Sequence, residues 1–338
     1  MKIIVEDSTW NNVGDGWYQT ALFKLLKDLY PNHEIYIGEG PIKRAFRINN
    51  NLQLKNSLEL MQYEQGDIHI FSGPIMHGFL QNYSNKIKEI KSRRAEYALI
   101  SVSGCNMTSV EVQELVVFFN NYPPLFISTR DEVTYHYFKE YVKNIYNGIC
   151  TAFIVDRVLP LQTFKLEKPF FISSFYTELE PTYILKNDKK HIQSIEDIEI
   201  KHKKTILGLP HRYSRHLDFM RKHQKDIGDY LIVRTIQNLN TRFNHINFAT
   251  PNSFISFNPI SYLNVTKSCE FVVSDRVHAC AVGLACNKPV RFTFNTARAG
   301  IFERMGFDYK KNNGIMYPNM DRIDQELFNL KNEIKKYI

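Results

Sequence analysis

The sequence contains no run of about 18 or more apolar residues, so no transmembrane helix is readable from it. Its opening, MKIIVEDSTW, turns polar after a short apolar burst and lacks the apolar core of a secretory signal. The expected location is the cytoplasm, with the inner face of a membrane as a place for peripheral contact. Cysteine is scarce and odd in number: Cys105, Cys150, Cys269, Cys280 and Cys286, with no C-x-x-C pair. That excludes a disulfide framework and argues against a zinc site. There is no G-x-G-x-x-G fingerprint and no H-E-x-x-H order, so neither a dinucleotide site nor a zincin-type metal site is supported. No D-x-D pair follows a strand, which disfavours a metal-dependent transferase. Neither a metal nor a bound cofactor is expected.

What is present is an ordinary globular composition, with 43% hydrophobic residues in 338. The formal net charge is +8. Basic residues are scattered, with modest clusters at Lys201, Lys203 and Lys204 and at Lys310 and Lys311. A nucleic-acid binder would concentrate them in a stripe, so no nucleic-acid partner is expected. A basic surface of this kind is either simply solvated or attracts anions: a phosphorylated substrate, or a lipid-linked glycan at an anionic membrane face.

The length implies two domains. Lys2–Val5, Ile68–Phe71, Tyr97–Val102 and Leu125–Ser128 read as buried strands. Gly16–Tyr30, Val110–Asn121 and Asp131–Val142 read as helices, the first with Trp17, Ala21, Leu22, Leu25, Leu26 and Leu29 on one face. The second half repeats the style. Its strands are expected at Phe170–Ser173, Thr205–Leu209, Ser253–Phe257, Phe271–Ser274 and Pro289–Phe292, with helices at Leu217–Gln224 and Val277–Cys286. Alternation of this kind implies βαβ units and a mostly parallel sheet in each half. The expected division is 1–160, 161–320 and a C-terminal helix over 321–338. The charged stretch Thr177–Lys204 reads as surface elaboration, because isoleucines interleave with its charges.

Facing α/β domains bind ligands at the carboxyl ends of their strands, which directs attention to five loops. Asn11–Gly16 enters the first helix, where free N–H groups suit an anion or a hydroxyl; Asp15 is equally a candidate helix cap. Ser72-Gly73-Pro74 leaves a strand, and His69 and His77 around it read as structural. Arg130-Asp131-Glu132 stands between strand and helix, as either a site or a salt-bridge cluster. His211, Arg212, Arg215 and His216 gather basic and titratable groups suited to an anion. The most specific is Val272–Arg291, VVSDRVHACAVGLACNKPVR. An apolar strand there delivers Ser274, Asp275, Arg276 and His278 into a helix rich in small residues. A plain turn with Asp275 as helix cap is the alternative, although Arg and His together are seldom needed for packing.

This last segment resembles the hallmark of the polysaccharide pyruvyl transferase family, S-x-R-x-H between an apolar strand and a small-residue helix, ending in Lys288-Pro289-Val290. Asn12-Val13-Gly14-Asp15, Gly66-Asp67, Ser72-Gly73, Arg130-Asp131-Glu132 and Asn295–Arg298 fall in that family's order, so the resemblance spans roughly 3–308. The chain departs from the pattern at Ser72-Gly73-Pro74, where more glycines are common. It departs also at Arg298, where lysine is usual, and over 177–204, which has no counterpart. The resemblance implies a GT-B-like α/β architecture of two Rossmann-like domains with parallel sheets facing an interdomain cleft. It implies phosphoenolpyruvate as donor co-substrate, and a cell-surface glycan or its lipid-linked precursor as acceptor, joined to pyruvate as a ketal. On that reading Arg276, His278, His211, Arg212 and Arg298 hold the donor. Asn12, Asp15, Gly73 and Arg130 serve the acceptor, and His278, Arg276 and Asp15 carry the catalysis. His278 would be the general acid or an anion ligand. The alternatives are a nucleotide-sugar glycosyltransferase of the same architecture, and a non-catalytic glycan- or nucleic-acid-binding protein.

Overall fold

The computed structural model describes residues 1–6, 12–38, 64–186, 191–205, 208–209, 214, 217–218, 221–238 and 248–338. The first half builds a six-stranded sheet from β1 (Lys2–Val5), β2 (Glu34–Ile37), β3 (Ile68–Gly73), β4 (Glu96–Val102), β5 (Phe126–Thr129) and β6 (Ile145–Asn147). Its order is β2-β1-β3-β4-β5-β6, and every pair is parallel. Helices α1 (Val13–Leu29), α2 (Phe79–Ser92), α3 (Ser109–Asn121) and α4 (Glu132–Phe138) connect these strands. Parallel neighbours require such crossovers, which cover both sheet faces. Local chemistry fixes the helix starts. Asn12 caps α1 by accepting from Gly14 N at 3.1 Å. Thr108 and Glu111 form a capping box on α3.

The second sheet contains β7 (Phe170–Ser174), β10 (Asp226–Ile227), β11 (Tyr230–Thr235), β12 (Ser253–Phe254), β13 (Val272–Ser274), β14 (Val290–Phe292) and β15 (Ile315–Met316). Its main order is β10-β11-β7-β13-β14-β15, with β12 on β11. The central pairs are parallel and the two edge pairs, β10–β11 and β14–β15, antiparallel. Helices α5 (Pro259–Ser268), α6 (Val277–Ala285) and α7 (Gly300–Arg304) belong to this half, and α8 (Met320–Tyr337) ends the chain. This is an α/β, GT-B-like architecture. One apolar core runs from Ile3, Val5 and Ile70 of the first sheet through α1, α6 and α8 to Ile172, Val272 and Val290 of the second. The last helix crosses back to the first half, where Tyr337 stacks on Phe126 at 4.9 Å and Asp324 pairs with Arg157 at 2.6 Å. Among the described residues no helix is long and apolar enough to cross a membrane.

Several elements differ from the sequence-based expectation. β2, β6 and β11 arise where no strand was expected. Thr205 and Leu209 are not in a strand, and 222–224 are not helical. The stretch over 177–204 contains a hairpin, β8 (Thr182–Leu185) with β9 (Ile198–Lys201). Its Tyr183, Ile192, Ile195 and Ile198 are buried against Phe171, Ile232, Phe271 and Val273 of the second sheet. The interleaved isoleucines thus pack on the sheet; Glu196 stays exposed, while Asp197 is buried and accepts from the backbone of Gln193 and Ser194.

Candidate functional site

The strands of both sheets deliver their carboxyl-terminal loops to one crevice. Arg276 follows β13 and stands at the start of α6. Its Nη2 donates to Asn12 Oδ1 at 2.6 Å and to Asn238 Oδ1 at 2.9 Å, and its guanidinium carbon lies 5.0 Å from the centre of the Tyr176 ring. Both amides must turn their oxygens toward it, so the guanidinium is held from two sides. Backbone contacts fasten the same seam: Val13 N donates to Gln237 O at 2.8 Å, and Asn12 and Asn238 form an isolated β-bridge.

His278 lies two residues on, in the first turn of α6, its side chain 12% exposed. Its ring stands 5.2 Å from that of Tyr18. Arg130 Nη1 lies 3.2 Å from His278 Nε2, and Asp15 Oδ1 lies 4.0 Å from Nδ1. Burial, then Arg130, Arg298 and Arg276, hold the imidazole well below its ordinary pKa. Gly14 allows the close approach of α1 to α6: a Cβ there would stand 3.1 Å from both His278 Cβ and Nδ1.

Arg130 is only 3% exposed. Among the described residues it has no carboxylate within ion-pair distance. Its Nη1 also reaches Cys150 Sγ at 3.8 Å, its Nε has no hydrogen-bond partner, and the guanidinium lies 5.9 Å from the Tyr18 ring centre. Burial works against this charge, yet Cys150, Tyr18, Asp131 and Asp15 nearby hold the Arg130 pKa above its ordinary value. Arg298 sits in a short 3-10 turn, Ala297–Ala299, capped by Thr296. It is exposed at the mouth, and its charge is felt at both His278 and Cys105.

Other expected residues take different positions. Asp15 is not the helix cap; Asn12 is, and Asp15 faces His278. Asp275 does not cap α6. Its carboxylate accepts from the backbone N–H groups of Tyr176, Thr177 and Glu178 at 2.6–3.0 Å, tying the loop after β7 to that after β13. Burial pushes the Asp275 carboxyl up from its ordinary value, against those three donors and the adjacent Arg276. Gly73, with φ of 99°, lies beneath the Tyr18 hydroxyl, leaving space for a ring that packs on His278. Arg130, assigned from sequence to the acceptor side, is brought against His278. His211 and Arg212, with Arg215 and His216, lie outside the described residues. His69 is fully buried on Glu6 at 2.6 Å, and the exposed His77 pairs with Glu111 at 2.8 Å.

Three contributors were not anticipated: Tyr18, Tyr176 and Asn238. Tyr176 follows the expected strand Phe170–Ser173 by three residues and could have been found by that rule. Asn238 follows β11, which the sequence did not reveal. Tyr18 is one more aromatic on an amphipathic helix, with nothing local to distinguish it. Among the described residues no three His, Cys, Asp or Glu side chains are grouped as metal ligands, and the free cysteines are buried except for half-buried Cys105. Among the described residues the crevice thus gathers three arginines around a largely buried imidazole.

Comparisons with known proteins agree with this architecture. No curated protein matches the sequence significantly. The solved UDP complex of MnaA from S. aureus superposes with a TM-score of 0.50 at 13% identity, over 99% of this chain and 89% of that one. The UDP-GlcNAc 2-epimerase of Neisseria meningitidis bound to UDP-GlcNAc gives a TM-score of 0.50 at 9% identity, over 99% and 100%. At such identities these likenesses establish the fold alone. The family model described as polysaccharide pyruvyl transferase matches residues 12–293.

Proposed function

The chain belongs to the polysaccharide pyruvyl transferase family, a transferase family of polysaccharide biosynthesis, and on that premise we propose that it transfers pyruvyl from phosphoenolpyruvate to a glycan as a ketal. The observation that carries the reading is Arg130, a buried guanidinium with no carboxylate partner among the described residues, set beside Arg276, Arg298 and His278. Phosphoenolpyruvate carries a phosphate and a carboxylate on three carbons. Planar guanidinium forks suit both groups, and paired cations are needed to take such a charge out of water.

The chemistry requires a proton on the donor's methylene carbon. The π electrons of the donor take that proton, and the neighbouring carbon becomes cationic. A sugar hydroxyl adds there and loses its own proton. Phosphate then leaves with its bonding pair, and a second hydroxyl of the sugar closes the ketal, again releasing a proton. His278 is the group suited to deliver the first proton. In the free site its imidazole is held neutral, first by burial and then by the arginines, which oppose a further positive charge. Donor anions lying among those arginines offset their field and allow the ring to charge. Asp15, 4.0 Å from Nδ1, favours the same form and orients the ring. Asn12 and Asn238 position Arg276.

The acceptor is a glycan or lipid-linked oligosaccharide presented from the open side of the crevice, with the inner membrane face as its source. The test is product mass after incubation with phosphoenolpyruvate and model glycosides. A product heavier by one pyruvyl ketal, with phosphate released in equal amount, supports the reading. Hydrolysis or transfer from UDP-sugars, with phosphoenolpyruvate inert, would replace it with the glycosyltransferase alternative.

A further inference from the structure

A cavity of about 590 Å³ opens on the C-terminal half, and His278 is not among its lining residues. That volume falls within the roughly 300–1,000 Å³ usual for ligand sites. The β8–β9 hairpin forms one wall, with Lys186, Glu199 and His202. The segment after β14 forms the other, with Thr293, Phe294 and Asn295, backed by Tyr309. The hairpin wall is fixed: Arg291 donates to Ile198 O at 2.6 Å and to Ile195 O at 3.1 Å. Tyr309 is fixed too, edge-on to Phe292 at 5.7 Å.

The cavity joins the crevice through one short segment. Thr293 N donates to Ser274 O at 3.0 Å, two residues before Arg276. Thr293 Oγ1 donates to Glu178 Oε2 at 3.3 Å, and Glu178 N is bound by Asp275 at 2.7 Å. The same stretch of chain continues through Thr296 to Arg298. The groove and the cationic crevice therefore share a rim.

Its lining has a definite chemistry. Three aromatic residues, Phe292, Phe294 and Tyr309, lie beside two amides, two ammonium groups, a carboxylate and an imidazole. An apolar ligand would leave these polar groups unpaired, and a bare anion would leave the rings uncovered. Sugars meet both demands, since their hydroxyls donate and accept while their C–H faces lie flat on aromatic rings. We propose that this groove binds an oligosaccharide, holding the sugar units that flank the one being modified in the crevice. The assignment of those units to the acceptor rests on the pyruvyl transferase reading; the sugar-binding character of the groove does not.

The experiment uses the double variant Lys186→Ala/His202→Ala, whose side chains are outside the donor site. Two measurements are made. In turnover, the variant should keep the phosphoenolpyruvate KM and the rate with a single-sugar glycoside. Its KM for acceptors of three or more units should rise about tenfold, as expected for two lost hydrogen bonds. Equal changes for short and long acceptors, or none, would overturn the proposal. In saturation-transfer NMR without donor, a panel of gluco-, galacto- and N-acetylhexosamine oligomers should bind wild type and bind the variant more weakly. Failure of any member to bind wild type, or binding that the variant leaves unchanged, also overturns it. If no acceptor is pyruvylated at all, the transferase reading fails and the NMR result alone decides the groove.

Discussion

Arg130 Nη1 points at His278 Nε2 across 3.2 Å, although 148 residues separate them in the chain. A guanidinium can only donate, so Nε2 accepts, and the imidazole is the neutral form with its proton on Nδ1, toward Asp15. A protonated ring would set one N–H against another. The pair therefore reports the protonation state of the free site. Among the described residues Arg130 has no carboxylate at ion-pair distance, its Nη1 being turned to the imidazole instead.

The first prediction follows from that state. His278 has a folded pKa below its unfolded value, so the native protein binds fewer protons than the unfolded chain once pH drops beneath about 6.5. Stability is unaffected above that range and is lost as pH falls below it. One unit below the unfolded pKa the cost approaches about 1.4 kcal/mol. Denaturant unfolding at pH 7.5 and 5.5 should show this loss in wild type and a smaller one in His278→Asn. Donor binding should also draw a proton from solvent at pH 7.5. Calorimetry in two buffers of different ionisation enthalpy measures it, with His278→Asn correcting for titration of the donor itself. Equal uptake by wild type and variant would show that the proton goes elsewhere.

Arg276 should fail differently from His278. It is aimed by Asn12 and Asn238 and backed by Tyr176, and it would hold the donor before and during reaction. Arg276→Ala should weaken phosphoenolpyruvate binding by about 2–5 kcal/mol, the cost of removing one partner of a desolvated charged contact. Lysine should rescue poorly, because it cannot span two amides and an anion with one planar fork. His278→Asn should instead lower kcat by about 10²–10⁴ with a lesser change in donor KM. Donor affinity by calorimetry and kcat by phosphate release separate the two. If His278→Asn loses affinity while kcat survives, His278 is an anion ligand only.

Ligand-dependent stability gives a further prediction. Phosphoenolpyruvate at a hundredfold excess over its Kd should stabilise the native protein by about 2.7 kcal/mol. UDP and NAD should not stabilise it, because the crevice lacks a glycine fingerprint and presents its guanidiniums to a compact anion. Thermal unfolding with each ligand decides it, and a response to UDP alone would count against the donor assignment.

The local parts of this site were legible in the sequence, and its assembly was not. Val272–Arg291 announced strand, loop and helix because the apolar run, the Arg–His tip and the small residues lie in one continuous stretch. The partners of Asp275 were not legible there. An aspartate before a helix ordinarily caps it, yet three backbone donors 97–99 residues away hold it instead. The contacts of Arg276 with Asn12, 264 residues distant, and of Arg130 with His278 cross between the two sheets. No spacing encodes such meetings. β11 escaped because its outer residues, Tyr230 and Leu231, are only half-buried and its run ends in Arg234 and Thr235. Arg234 is nonetheless buried, since it pairs with Glu180 at 2.8 Å. That guanidinium and His223 hold the Glu180 carboxyl down to about 2 despite its burial.

Gly14 provides the most discriminating test of the geometry. It is the second residue of α1, where alanine is by itself a better helix former than glycine by up to about 1 kcal/mol. Helix stability alone would therefore make Gly14→Ala harmless or mildly stabilising. The added Cβ, however, would stand 3.1 Å from His278 Cβ and Nδ1 and 3.2 Å from Asn12 Oδ1. Relief requires the imidazole or the Asn12 amide to move by a few tenths of an ångström. His278 has little freedom to do so, with Tyr18 on one side and Arg130 on the other. Misplacement of a reacting group by about 1 Å costs on the order of 10²-fold in rate, so a smaller shift should lower kcat by about tenfold. Donor KM should rise less, through the disturbed Asn12–Arg276 contact. The expected outcome is an unfolding temperature close to wild type together with the fall in kcat. Unchanged kcat would mean that the contact between α1 and α6 yields without moving His278, and that the position of this imidazole does not limit the rate.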